Sequence, residues 1–213
     1  VVDSSGKKSP RTPGQKDAEA TREALLAAAT ELFAEHGYAG TTVDAIAVRA
    51  HVNKAMINYH FKGKHGLYTA ILKRDFGSAV AQLNQLAHEP LRADAKLSRF
   101  VTIFGGLHQR RPGLSAMILR EAMSGGRGLD PTLLPDMRSI FGAVQGIVSQ
   151  GIAEGTFRDV DPLFMHHTVI GTLAFFFAAK PLIAEEVVPV AAPDPEEFIA
   201  HVQRLLARGL AKE

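Results

Sequence analysis

Residues 41–61 read TTVDAIAVRAHVNKAMINYHF, two short helical patterns split by a three-residue break. In the first, Val43, Ile46 and Ala47 recur at the i, i+3, i+4 spacing that brings side chains to one helix face. Thr41 or Thr42 offers a hydroxyl to an orphan backbone N–H, and Asp44 suits the positive end of a helix. This pattern predicts a helix from Thr41/Thr42 to about Ala50. His51 and Val52 make a turn, and Asn53 caps a further helix from Lys54 to about His60. Upstream, Leu25, Ala28, Ala29, Leu32 and His36 share one face of a helix predicted over about Asp17–His36. Gly37 is its natural stop, because glycine enters the left-handed conformation without strain.

Three short helices with a tight turn between the last two describe a helix-turn-helix. Leu25 and Leu32, Val43 and Ile46, and Ile57 and Phe61 supply the buried stripes. Lys54, Ala55, Met56, Asn58, Tyr59 and His60 are left to face outward. That mixture of cation, amide, phenol and imidazole with small apolar groups suits base edges and phosphates in a major groove.

Charge points the same way. The chain of 213 residues has a net charge of only +2, yet Ala45–Arg74 holds six Lys or Arg and no Asp or Glu. A local run of one sign attracts a polyanion. Residues 1–16, rich in Lys, Arg, Ser, Pro and Gly, are expected to form a flexible basic arm. A hydrophobic content of 46% is enough for a folded core. Cysteine is absent, which excludes disulfides, thiolate zinc sites and a Cys nucleophile. No stretch reads as a signal peptide, and Leu163–Ala179 falls short of the roughly 20 residues a membrane span needs. The expectation is a soluble, cytoplasmic protein without a membrane partner.

Thr21–Leu72 resembles the DNA-binding domain of the TetR family of bacterial repressors. The resemblance rests on LLAAATELFAEHGYAGTTVDAIAVRAHV followed by NKAMINYHFKGKHGLYTAIL, above all on Tyr59-His60-Phe61, Lys62-Gly63-Lys64 and Leu67. His51 stands where the family usually has Gly, and Asn58 where it often has an aromatic residue. The resemblance implies roles at matching positions. Asn53, Lys54 and Ala55 would open the recognition helix, and Met56 and Asn58 would face bases. Tyr59, His60 and Lys64 would contact phosphates, as would Thr42, with Thr41 beside it, from the start of the preceding helix.

Beyond residue 74 the pattern stays helical. Helices are predicted near Lys64–Leu86, Ala93–Gln109, Leu114–Met123, Pro131–Ala153, Pro162–Ala179 and Pro195–Ala211. Three open on Asp-Pro: Asp130-Pro131, Asp161-Pro162 and Asp194-Pro195. The Asp caps, and Pro is tolerated where its missing N–H was an orphan anyway. The fold expected is all-α with about nine helices: a DNA-binding domain over 17–74 and a helical effector-binding and dimerisation domain over 75–213. The helix over 162–179 is apolar almost all round and must be covered on every side. With the stripe of Phe198, Val202, Leu205 and Leu206 in 195–211, it would build a homodimer interface, as is common in the family. The family's larger domain usually binds a small-molecule effector. Phe100, Phe104, His108, Met117, Arg120, Met123, Phe141, Gln145, His166 and Phe175 are candidate pocket residues here.

Catalytic patterns are weak. His166 and His167 are adjacent, so their side chains diverge on a helix, whereas i, i+4 is the chelating spacing. Gly125-Gly126-Arg127-Gly128 lacks the Lys-Ser/Thr of a phosphate loop, and no Gly-x-Ser-x-Gly elbow occurs. Solvation and capping account for Glu185-Glu186 and Glu196-Glu197. The expectation is therefore no enzyme, no metal and no cofactor. It is instead a regulator released from a palindromic DNA operator by a small molecule. The alternative is an α-helical small-molecule binder or enzyme whose basic domain docks to an acidic partner.

Overall fold

The computed structural model describes residues 13–184 and 193–212. The basic arm, except for its last four residues, and Glu185-Glu186 lie outside the described residues. Among those described there are nine α-helices, a single 3-10 turn and no strand beyond an isolated bridge between Phe157 and Ala211. The chain divides into two compact units, Val1–Ala70 and Ile71–Glu213.

The first unit holds α1 (Pro13–Gly40), α2 (Val43–Ala50), α3 (Ala55–Phe61) and the opening turns of α4 (Lys64–His88). Helical geometry in α1 breaks at Gly37, with φ 70° and ψ 176°, where the sequence placed its stop. Thr42 caps α2 by accepting from Ala45 N at 3.1 Å. His51 closes α2 in the left-handed region at φ 55° and ψ 40°, a conformation histidine adopts more readily than bulkier residues. Asn53 Oδ1 accepts from Ala55 N at 2.8 Å and opens α3. The helices bury Leu25, Leu26, Ala29, Leu32, Phe33, Ile46, Ile57, Phe61, Leu67 and Tyr68. His36, expected on the inner face of α1, is exposed beside Glu35, its imidazole 3.5 Å from the carboxylate.

In the second unit, α5 (Ala93–Arg110) is the central helix, packed against α6 (Pro112–Met123), α7 (Leu134–Ala153), α8 (Pro162–Ala184) and α9 (Pro195–Leu210). The Asp-Pro starts behave alike. Asp130, Asp161 and Asp194 accept from the N–H two residues on, at 2.9, 2.7 and 2.9 Å. Pro131–Leu133 forms a 3-10 turn rather than the first turn of α7. Close approach sets two glycines: a Cβ on Gly105 would clash with the Ile199 side chain, and one on Gly151 with the Phe157 ring. Lys96, almost fully buried, donates to Ala87 O at 3.1 Å, placing a cation at the negative end of α4.

α8 has 23 residues, longer than the sequence implied and long enough by length and composition to cross a membrane. Met165, Val169, Leu173, Ala174 and Phe177 are instead buried within the unit. Its opposite face, Phe164, Thr168, Gly171, Phe175 and Leu182, is exposed. Phe164 is 69% and Phe175 66% exposed, and on α9 Leu205 is also exposed.

Candidate nucleic-acid interface and ligand cavity

α3 rests on Ile57 and Phe61, which are buried, so the remaining positions of this short helix project outward. Ala55 and Asn58 are exposed, and Met56 and His60 are half-buried. Tyr59 is 75% exposed, and its ring meets that of His60 edge-on, with centroids 4.9 Å apart. It does not pack on the first helices. Lys54 reaches back to Asp44 on α2, with Nζ 3.0 Å from Oδ1 and both groups well exposed. Such pairs contribute little and open readily to a phosphate. Thr42 is exposed at the N-cap of α2.

Two of the predicted contacts are employed inside the fold. Thr41 is 1% exposed, and its hydroxyl faces Leu32 O at 2.9 Å and Gly37 O at 2.8 Å. Its side chain is a structural link across the break in α1 and is out of reach of DNA. Lys64 Nζ donates to Tyr38 O and Thr41 O, both at 2.9 Å, and lies 4.4 Å from the centre of the Tyr38 ring. The charge that the sequence assigned to a phosphate holds the segment after Gly37 against the start of α4. Lys64→Ala is expected to cost about 2 kcal/mol through loss of two charge-assisted bonds. Urea denaturation of the variant measures this, and an unchanged midpoint would contradict the anchoring role.

Sequence reasoning passed over three residues here. Val48 is exposed on α2. Arg49 pairs with Glu31 at 2.9 Å. Gly66 has no room for a Cβ, which would fall on the Phe61 carbonyl oxygen. Val48 left no signal, because an apolar residue on a short helix reads as core.

In the second unit, a cavity of about 280 Å³ lies among α4, α5, α6, α7 and α8. Phe104, His108 and His166, three of the ten candidates, line it. Phe100 and Met117 are buried core residues that do not line it. Arg120, Met123, Gln145 and Phe175 are corrected outright: all four are exposed on outer helix faces. Phe141 is half-buried and meets the His166 ring edge-on at 5.6 Å. The remaining lining includes Phe76, Leu107, Ile118, Met137, Ile140 and Ile170. These were indistinguishable from core in the sequence, since helical periodicity marks burial and not what a residue is buried against. Grooves of about 450 and 620 Å³ also occur, along α5 and α9 and at the end of α4. The first is bridged by Gln203, which donates to Ser98 O and Thr102 Oγ1. The Gly125–Gly128 turn is pinned rather than free, because Gly128 N donates to the buried Glu121 carboxylate at 3.1 Å.

His108 is fully buried, with Nδ1 2.7 Å from Ser115 Oγ and its ring stacked on Phe177 at 5.8 Å. Burial holds its pKa down to about 4, so the ring is neutral at physiological pH. His166 is also lowered, by burial and then by neighbouring His167. An unfolded His108 titrates near 6.5, so between there and pH 4 the unfolded chain binds the extra proton. The stability this neutral imidazole confers is complete above pH 6.5 and is lost as pH falls toward 4, about 3 kcal/mol in all. In thermal unfolding, the stability of wild type relative to His108→Phe should fall by about 3 kcal/mol as pH drops across that window. Parallel curves would contradict the depressed pKa.

Stretches of both units match known families. The family described as bacterial regulatory proteins, tetR family, matches residues 25–71. The family described as tetracyclin repressor-like, C-terminal domain, matches residues 94–197. The transcriptional repressor NicS of Pseudomonas putida is 25% identical, the match covering 92% of this chain and 95% of NicS. Among solved structures, the TetR family transcriptional regulator PfmR of Thermus thermophilus matches with a TM-score of 0.69 at 21% identity, over 88% of this chain and 99% of PfmR. FadR of Bacillus subtilis, solved with stearoyl-CoA, matches with a TM-score of 0.66 at 21% identity, over 88% and 98%.

Proposed function

The chain belongs to the TetR family of bacterial regulatory proteins and is a DNA-binding transcriptional regulator, and we propose that it acts as a homodimeric repressor released from a palindromic operator by a small molecule. The observation that carries this reading is the outward face of α3, where Asn58 and Tyr59 stand free on a helix held by Ile57 and Phe61. Met56 and Asn58 read base edges. Thr42, Lys54, Tyr59 and His60 bond the backbone, with Asn53 and Ala55 setting the start of the helix.

Two copies joined through α8 and α9 would cover Phe164, Phe175 and Leu205 and present two recognition helices to one face of a duplex. Two-fold symmetry in the protein then matches a palindrome whose half-sites lie about 34–36 Å apart. The cavity among α4–α8 is the effector site, and the stearoyl-CoA held by FadR is an instance of a small molecule bound by a similar fold. An effector acts by favouring the dimer geometry that misfits the operator. The working compartment is the cytoplasm, where the DNA is. Selection of duplexes from a random library at two salt concentrations tests the reading. A palindromic winner whose affinity falls steeply with salt is expected. Enrichment of nothing by folded protein would overturn it.

A further inference from the structure

Among the described residues, no Asp, Glu, Lys or Arg lines the cavity among α4–α8, and its polar side chains are the imidazoles of His108, His166 and His167. His167 Nδ1 is engaged with Leu163 O at 2.8 Å. His108 differs. Its Nδ1 meets Ser115 Oγ, both residues are fully buried, and its Nε2 has no partner among the described residues.

A neutral imidazole carries one proton, so the Ser115 bond decides where it sits. If the hydroxyl donates to Nδ1, both groups are satisfied and the proton lies on Nε2. The reverse arrangement strands the hydroxyl hydrogen and the Nε2 lone pair together in a dry interior, which costs more. A residue that lines the cavity therefore carries a buried, unmatched donor, Nε2–H. His166 adds a second imidazole whose Nδ1 is also buried without a partner.

An anion entering this space would meet no fixed cation. Its charge would have to be matched by protonating an imidazole that burial keeps neutral. The volume of about 280 Å³ lies near the lower limit of small-molecule sites, which suits a compact ligand.

We propose that the effector is a compact, uncharged, mainly apolar carbonyl compound whose oxygen accepts the Nε2–H of His108. This rests on the reading of the cavity as the effector site and adds the chemical class of the ligand. The carbonyl supplies the acceptor that no described protein atom provides, and the ligand's apolar body fills the space lined by Phe104, Leu107 and Ile140.

Three naphthalene probes of matched shape test it near neutral pH: 2-acetylnaphthalene, 2-ethylnaphthalene and 2-naphthoate. The chain has no Trp, so probe fluorescence reads binding to the full-length protein directly. The ketone is expected to bind about tenfold more tightly than the hydrocarbon, the worth of one buried hydrogen bond. The carboxylate should bind more weakly than either. His108→Phe keeps the ring and its stacking but lacks the donor. It should erase the advantage of the ketone and spare the hydrocarbon. Long-range proton–nitrogen spectra of the wild type should show His108 as the Nε2–H tautomer, a readout that does not depend on the variant folding. Equal affinities for ketone and hydrocarbon, tightest binding of 2-naphthoate, or an Nδ1–H tautomer would overturn the ligand class while leaving the cavity a binding site. Failure of all three probes to bind folded protein would overturn the class and the effector-site reading together.

Discussion

Asn58→Ala combined with Tyr59→Ala lowers operator affinity by at least about a hundredfold and leaves the melting temperature unchanged within a degree or two. Both parts of this expectation follow from α3. Asn58 and Tyr59 are exposed, and the one aromatic ring the Tyr59 ring meets among the described residues is His60. Surface substitutions of that kind usually change stability by less than about 0.5 kcal/mol. Each lost base-edge or phosphate contact is worth about 1–3 kcal/mol, and a symmetric dimer loses it in both half-sites. Fluorescence anisotropy with the selected operator measures the first quantity and calorimetry the second. Undiminished affinity would remove α3 from the interface. Lys64→Ala is the instructive contrast, because any loss of binding there should come with a loss of stability.

The second large effect lies far from DNA. Phe164→Glu with Phe175→Glu should convert the protein to a monomer of 22.9 kDa at micromolar concentration and abolish operator binding, although no recognition residue is touched. The two rings are each about two-thirds exposed and sit on one face of α8 with Thr168 and Gly171. Covering a phenyl ring fully is worth about 1.5–3 kcal/mol, and in the proposed dimer four partly exposed rings would meet across a two-fold axis. Their loss, with four carboxylates to desolvate instead, should raise the dimer dissociation constant by three orders of magnitude or more, about 4 kcal/mol. Light scattering after size-exclusion chromatography distinguishes the outcomes. A double variant that remains dimeric would place the interface on another surface.

The legible part of this protein was local. Gly37 ending the regular part of α1, Thr42 and Asn53 at their caps, His51 in the left-handed turn, and three Asp-Pro starts all occupy the positions their chemistry prescribes. The buried stripes of α1–α3 were legible for the same reason. Periodicity places residues on a face regardless of what that face meets.

The site was legible only as a set of residue types. Thr41 and Thr42 are neighbours of equal chemistry, yet one hydroxyl is sealed against Leu32 and Gly37 and the other caps an exposed helix end. Lys64 belongs to the basic run by composition. Its partners, the carbonyls of Tyr38 and Thr41, stand more than 20 residues away in sequence. In the second unit, Phe100 and Phe104 lie one helical turn apart on α5, and only the second borders the cavity.

The sequence by itself determined the order and approximate spans of the helices, the helix-turn-helix and the family. Those follow from interactions within a turn or two of chain, where caps, proline, glycine and periodicity act. The tertiary structure alone decided which cation is bound internally, which buried side chains face open space, and which face of α8 is left without a partner. Those depend on where helices distant in sequence come to lie, and an apolar or charged residue carries no mark of what it will be set against.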